Sequence, residues 1–202
     1  MTQRSMNETF YVATDHGLTV WRREPHGHQA CTPALEGHRL TSVLAREGVI
    51  LAGTTDGVFR SDDGGTSWSE ASRNCTVRHV RWMAFHPAIP DREFAGTEPA
   101  GIFRSEDGAA SWRECPEVAQ LRDQHRWFLP YSPEAGCVRG FAFHGNRAYA
   151  AVEVGGVLRS DDAGGNWRLA GGSTGRPVFE IPPEPLVHAD VHSVASHPSS
   201  PD

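Results

Sequence analysis

The sequence predicts an all-β chain built from about four small antiparallel sheets, and three observations carry that prediction. First, an octet recurs: "SDDGGTSW" at residues 61–68, "SEDGAASW" at 105–112 and "SDDAGGNW" at 160–167. Second, short alternating or apolar runs of strand length stand at fixed places around each octet. Third, Gly (21 residues) and Pro (14 residues) are frequent, as tight turns between short strands require. A motif that returns roughly every 40–55 residues marks a repeat architecture rather than a catalytic loop. Four-stranded meanders protect their edges by packing radially, so the expected fold is a β-propeller.

Each element follows from its own residues. The first strand of a repeat reads "VRWMAFHPAIPD" or "VRGFAFHGN". The second reads "VILAGTTD", "REFAGTEPA" or "RAYAAVEVG", and the third "GVFR", "GIFR" or "GVLR". The octet then makes a hairpin turn into a fourth strand, "WSEAS", "WRECPEV" or "WRLAG". No window shows a helical apolar period. Blades are expected at about 9–36, 40–72, 78–118 and 137–170, with 187–198 as a lone inner strand.

Within the octets, Gly64, Gly65, Gly108, Gly164 and Gly165 are expected to supply positive φ angles. Ser61, Ser105 and Ser160, with Asp63, Asp107 and Asp162, are expected to bond the turn backbone. Trp68, Trp112 and Trp167 offer large rings to bury between sheets. This pattern, SxDxGxxW, resembles the BNR or Asp-box repeat of sialidases, sortilin-type receptors, xyloglucanases and a photosystem II assembly factor. The resemblance implies that the box is structural and remote from any active site. The third copy reads Ala163-Gly164 where the first reads Gly64-Gly65, which puts its turn geometry in doubt.

The chain's ends complement each other. "ETFYVATDHG" aligns with a second strand, and "VHADVHSVASHP" with a first strand. Residues 191–195 are therefore expected to pair with the strand near residues 10–13, within one chain or between two, bringing residues 199–202 near Glu8. Asp-box propellers usually have six or more blades, so the resemblance favours an incomplete or split propeller over a closed four-bladed ring.

Composition narrows the function classes. The net charge of −6 has no long charged run behind it, so nucleic acid is not an expected partner. No apolar run approaches the roughly 18 residues of a membrane span, and no leader pattern opens the chain, so a cytoplasmic protein is expected. Cys31, Cys75, Cys115 and Cys137 form no CxxC pair and read as reduced thiols. No cofactor is expected.

Candidate site residues lie on the face of the inter-blade links. His79, Arg81, Arg139, His188, Asp190 and His192 enter first strands, and Arg81, Arg139 and His192 fall in register, each just after a Val. Glu98 and Glu153 lie in the short turns after second strands. Arg126, Trp127, Tyr131 and Arg176 could add a rim from the long links 119–137 and 171–190. Arg beside aromatic rings suits carboxylates and sugar faces. His188, Asp190 and His192 alternate along one strand, but alternate side chains stand about 6–7 Å apart and converge poorly on a metal, so none is assigned.

The first functional reading is a binding scaffold for a glycan or an anionic ligand. The alternative is a glycoside hydrolase of the Asp-box group, using Glu98, Glu153, Glu184 or Asp190. A sialidase would need an Arg-Ile-Pro signature that this sequence lacks, and Tyr131 with Glu134 makes a weak nucleophile pair. A second alternative is an assembly factor resembling the photosystem II type, gripping a protein through Arg clusters. Self-association through open blade edges is a further expected contact.

Overall fold

The computed structural model describes residues 8–24, 27–30, 33–129, 136–197 and 199. Tyr131, Glu134, Cys31 and residues 200–202 lie outside the described residues. The strands make four antiparallel sheets in strict chain order. The first sheet holds β1 (Thr9–Thr14), β2 (Gly17–Glu24) and β3 (Gly27–Ala30). The second holds β4 (Leu40–Arg46), β5 (Val49–Thr54), β6 (Gly57–Ser61) and β7 (Ser69–Glu70). The third holds β8 (Val80–Phe85), β9 (Glu93–Thr97), β10 (Ile102–Ser105) and β11 (Arg113–Glu114). The fourth holds β12 (Cys137–His144), β13 (Arg147–Glu153), β14 (Gly156–Ser160) and β15 (Arg168–Leu169). Consecutive sheets pack face to face, with β1 against β4, β4 against β8, and β8 against β12.

Apolar clusters fill each gap between sheets. Leu18 and Val20 meet Leu40, Ala52 and Trp68. Leu51 and Val58 meet Val80, Met83, Phe103 and Trp112. Phe94 and Ile102 meet Val138, Leu158 and Trp167. Each octet Trp thus packs toward the preceding sheet. Trp112 also donates its indole N–H to Ala71 O of that sheet, 2.7 Å away. Glycine permits the closest approach. A Cβ on Gly96 would sit 2.6 Å from Val138 Cγ1, and one on Gly53 would sit 2.8 Å from Val80 Cγ1. The first strand of the next sheet therefore presses directly on bare backbone.

The three octet turns share one hydrogen-bond scheme. Ser61 Oγ donates to Asp63 Oδ1 at 2.8 Å and accepts from Gly65 N–H at 2.8 Å. Ser105 and Ser160 do the same with Asp107 and Ala109, and with Asp162 and Gly164. The aspartate then accepts from the residue four positions on: Ser67, Ser111 or Asn166. Ser67 holds the Asp63 carboxyl down, to about 2. Burial pushes Asp162 up, but hydrogen bonds from Asn166, Ser160 and Gly165 outweigh it and hold that carboxyl at about 2.

The glycine assignment needs correction. Positive φ falls three and four residues after each serine: Gly64 and Gly65, Gly108 and Ala109, Ala163 and Gly164. Gly165 is not left-handed, whereas Ala163 and Ala109 are, at φ 57° and 67°. Counted from each serine, the pattern's Gly is kept at Gly65 and Gly164, and the second copy departs with Ala109; the serine and aspartate bonds outweigh the Cβ strain at Ala109 and Ala163, so all three turns match.

Two further expectations fail. A helix, α1 (Pro116–His125), interrupts the link between the third and fourth sheets. Pro116 starts it, Glu117 and the pair Arg122 and His125 suit its two ends, and Arg126 closes it in the left-handed region. Residues 187–196 form no strand, and β1 pairs with β2 alone among the described residues. The C-terminal segment lies instead along β12. Ser193 Cα would be 3.6 Å from a Cβ on Gly140, and Ser196 Oγ donates to Phe143 O at 2.8 Å.

Candidate functional site

The first strands share a local irregularity. Register shifts occur between Leu40 and Ser42 in β4, Val80 and Trp82 in β8, and Val138 and Gly140 in β12. The extra residues are Thr41, Arg81 and Arg139. A bulge inserts one unpaired residue and re-aims its side chain. All three line one cleft of about 420 Å³, together with Trp82, Phe141 and His192. The in-register positions Arg81, Arg139 and His192 meet there, the two arginines through their bulges and His192 through the C-terminal segment that lies along β12.

Each arginine is steadied by a buried glutamate. Arg81 Nη1 lies 3.3 Å from Glu98 Oε2, and Arg139 Nη1 lies 2.7 Å from Glu153 Oε2. Glu98 is 5% exposed and Glu153 2%. Each comes directly after the residue paired with the one before the bulge, Thr97 or Val152, at the position held by Thr55 in the second sheet. There the bulged residue is Thr41, whose hydroxyl donates to Val80 O at 2.6 Å. Arginine and glutamate thus occur together in two sheets, and a threonine stands at both places in the one that has neither. Burial pushes the Glu153 carboxyl up, against the pull of His192. Cys137 donates to Glu153 Oε2 at 3.2 Å. Its own thiol is pushed up to about 11 by burial. Cys75 and Cys115 are pushed up to about 12 for the same reason, and all three are free and buried.

The His-x-Asp-x-His segment divides. His188 Nδ1 accepts from Asp190 N–H, and Nε2 faces Phe179 O at 3.2 Å. His192 Nε2 lies 2.9 Å from Asp190 Oδ1 and 3.7 Å from Glu153 Oε1. Glu153, Asp190 and His192 each offer one ligand atom within 4.8 Å of the others. Glu153 replaces His188 in that trio because the C-terminal segment folds against the fourth sheet. Arg139 and Cys137 already engage Glu153 Oε2, so a cation there would work against a neighbouring guanidinium.

Other candidates lie elsewhere. His79 Nδ1 stands 3.9 Å from Glu98 Oε2 and does not line the cleft. Arg126 and Arg176 are exposed and line no part of this cleft. Trp127 is not a rim residue. It is 2% exposed, belongs to the core, and donates its indole N–H to Gly175 O at 2.7 Å. The sequence reading missed Thr41, Trp82 and Phe141. Trp82 is 45% exposed, and its signal was present: a large ring directly after an in-register arginine.

No protein-family model matches the chain, and no curated protein matches it significantly. Solved structures do match. YCF48 bound to a D1 peptide aligns with TM-score 0.58 at 14% identity, covering 96% of this chain and 56% of that one. The GH74 xyloglucanase from Xanthomonas campestris aligns with TM-score 0.55 at 19% identity, covering 100% and 31%. YCF48 from Cyanidioschyzon merolae gives 0.51 at 14%, covering 82% and 54%. At such identities the likeness concerns fold alone. The chain spans about half or less of the length of each. It is a partial β-propeller: an open array of meander sheets, one with three strands and three with four among the described residues. No helix among the described residues is long and apolar enough to cross a membrane.

Proposed function

We propose that this chain is an Asp-box-type propeller scaffold that binds an anionic, carboxylate-bearing ligand in the cleft of Thr41, Arg81 and Arg139. One observation carries the reading: three equivalent bulges aim successive side chains into one cleft, and two of them are arginines held in place by buried glutamates. Guanidinium groups oriented in this way suit a planar carboxylate. Trp82 and Phe141 add an apolar wall for the body of the ligand.

A hydrolase draws less support. Glu98 and Glu153 are each neutralised by an arginine, and no carboxylate among the described residues lines the cleft. Glycoside hydrolysis needs two carboxyl groups facing the bond that breaks. A protein segment is one source of the carboxylate, in keeping with the peptide named with one structural neighbour. An acidic sugar is the other. Titration of the parent, Arg81→Gln and Arg139→Gln with an acidic peptide and with glucuronate distinguishes them. Binding that is equally tight in all three proteins contradicts the proposal.

A further inference from the structure

A second cleft lies at the other end of β8, about 13 Å along the strand from Arg81 to Phe85. It measures about 310 Å³ and sits between the second and third sheets, on the side of the octet turns. Arg46, Phe85, Glu93, Arg60, Asp91 and Glu47 line it.

Glu93 is out of place by the logic of the repeat. It pairs with Ser105, the first octet residue of its sheet. The residues opposite Ser61 and Ser160 are Ile50 and Ala148, both buried and apolar. Only the third sheet puts a carboxyl at this position, and it is 2% exposed. Its Oε2 has no protein hydrogen-bond partner. Arg46 offers only a loose pairing, with Nη2 3.8 Å from Oε1. The Arg46 guanidinium is instead held over the Phe85 ring at 4.2 Å, and Nη1 donates to His86 O. Buried polar groups in folded proteins are nearly always satisfied, so a carboxyl in a cleft wall with one enclosed, unpartnered oxygen and the other met by a loosely placed guanidinium calls for an explanation. It also breaks a pattern that the sister sheets keep, and such breaks concentrate at functional sites.

The lining charges select the ligand. Arg46 and Arg60 oppose Glu47, Asp91 and Glu93, and Asp62 already grips Arg60 at 2.6 Å. An anion entering here meets three carboxyl groups, and a cation meets two guanidinium groups. We propose that this cleft binds a small neutral polyhydroxyl compound, with one hydroxyl bonded to the Glu93 carboxyl and its neighbour accepting from Arg46. Burial pushes the Glu93 carboxyl up, against the pull of Arg46, the Ser105 hydroxyl and the Ala109 N–H, and a hydroxyl serves either protonation state because it both donates and accepts. The cleft volume lies at the small end of the roughly 300–1,000 Å³ range for small-molecule sites.

Saturation-transfer NMR with myo-inositol, glucose, acetate and guanidinium tests the assignment. The parent should bind inositol or glucose in preference to either ion. Glu93→Ile, which installs the residue of the second sheet, should weaken that binding at least about tenfold while melting no lower than the parent. Arg139→Ala, in the other cleft, should leave it unchanged. No polyol binding, equal binding by Glu93→Ile, preference for an ion, or loss in Arg139→Ala overturns the proposal. If Glu93→Ile does not fold, Arg46→Gln decides: lost binding supports the site and unchanged binding removes it.

Discussion

Arg139 Nη1 and Glu153 Oε2 lie 2.7 Å apart, and they join a bulge in β12 to the end of β13 across one sheet. Glu153 is buried while Arg139 is about one-third exposed, so the pair stands where core meets cleft. Removing the glutamate leaves a guanidinium without its partner. Glu153→Ala should cost about 2 kcal/mol in urea denaturation, below the ~3–5 kcal/mol of a fully buried pair because water reaches Arg139. A loss under about 0.5 kcal/mol means that the pair does not hold the bulge.

The octet turns should behave as structure. Asp107→Ala removes two hydrogen bonds from Ser111 and one from Ser105. The site is largely solvated, so the expected cost is about 1 kcal/mol rather than the sum over three bonds. Affinity for a carboxylate probe should not change. A variant that melts normally but no longer binds would place the octet in the site.

The same turns set an acid limit. Asp63 and Asp162 have folded-state values of about 2, below the ordinary 3.8. A depressed carboxyl contributes stability above its unfolded value and loses it as pH falls through the folded one. Stability should therefore decline between about pH 4 and pH 2, and the double variant Asp63→Asn, Asp162→Asn should flatten that limb. An unchanged acid limb in the double variant assigns the loss to other groups.

Gly96→Ala tests the close contact of β9 with β12. The new methyl meets Val138 Cγ1 at 2.6 Å and Val138 O at 2.9 Å, so backbone must shift. About 1–3 kcal/mol of destabilisation is expected, with partial recovery in Gly96→Ala, Val138→Ala. Additive losses in the double variant would show that the two residues do not touch.

The legible part of this molecule is the part that repeats. Ser61, Ser105 and Ser160 could be aligned by eye, and the strands around them followed. Arg81 and Arg139 were found because they share a register. The bulges that turn them inward were hidden, since a bulge is a pairing defect and leaves no composition. The helix α1 was missed because Val118 and Leu121 are too few apolar residues to show a period against a polar face. Its end signals, Pro116 and Glu117, were the readable clue. Trp127 looked like a rim residue because it sits in a long link, yet that link folds back and buries it under Gly175. Glu93 was invisible as an anomaly until pairing matched it to Ile50 and Ala148.

The central claim is that Arg81 and Arg139 together make an anion-binding cleft. Isothermal titration of a carboxylate-terminated acidic peptide into the parent and into Arg81→Gln, Arg139→Gln, at equal ionic strength, tests it directly. Each charge-assisted contact is worth roughly 1.5–3 kcal/mol, so the double variant should bind at least about a hundredfold more weakly while melting cooperatively. Peptide affinity that is the same in both proteins contradicts the account.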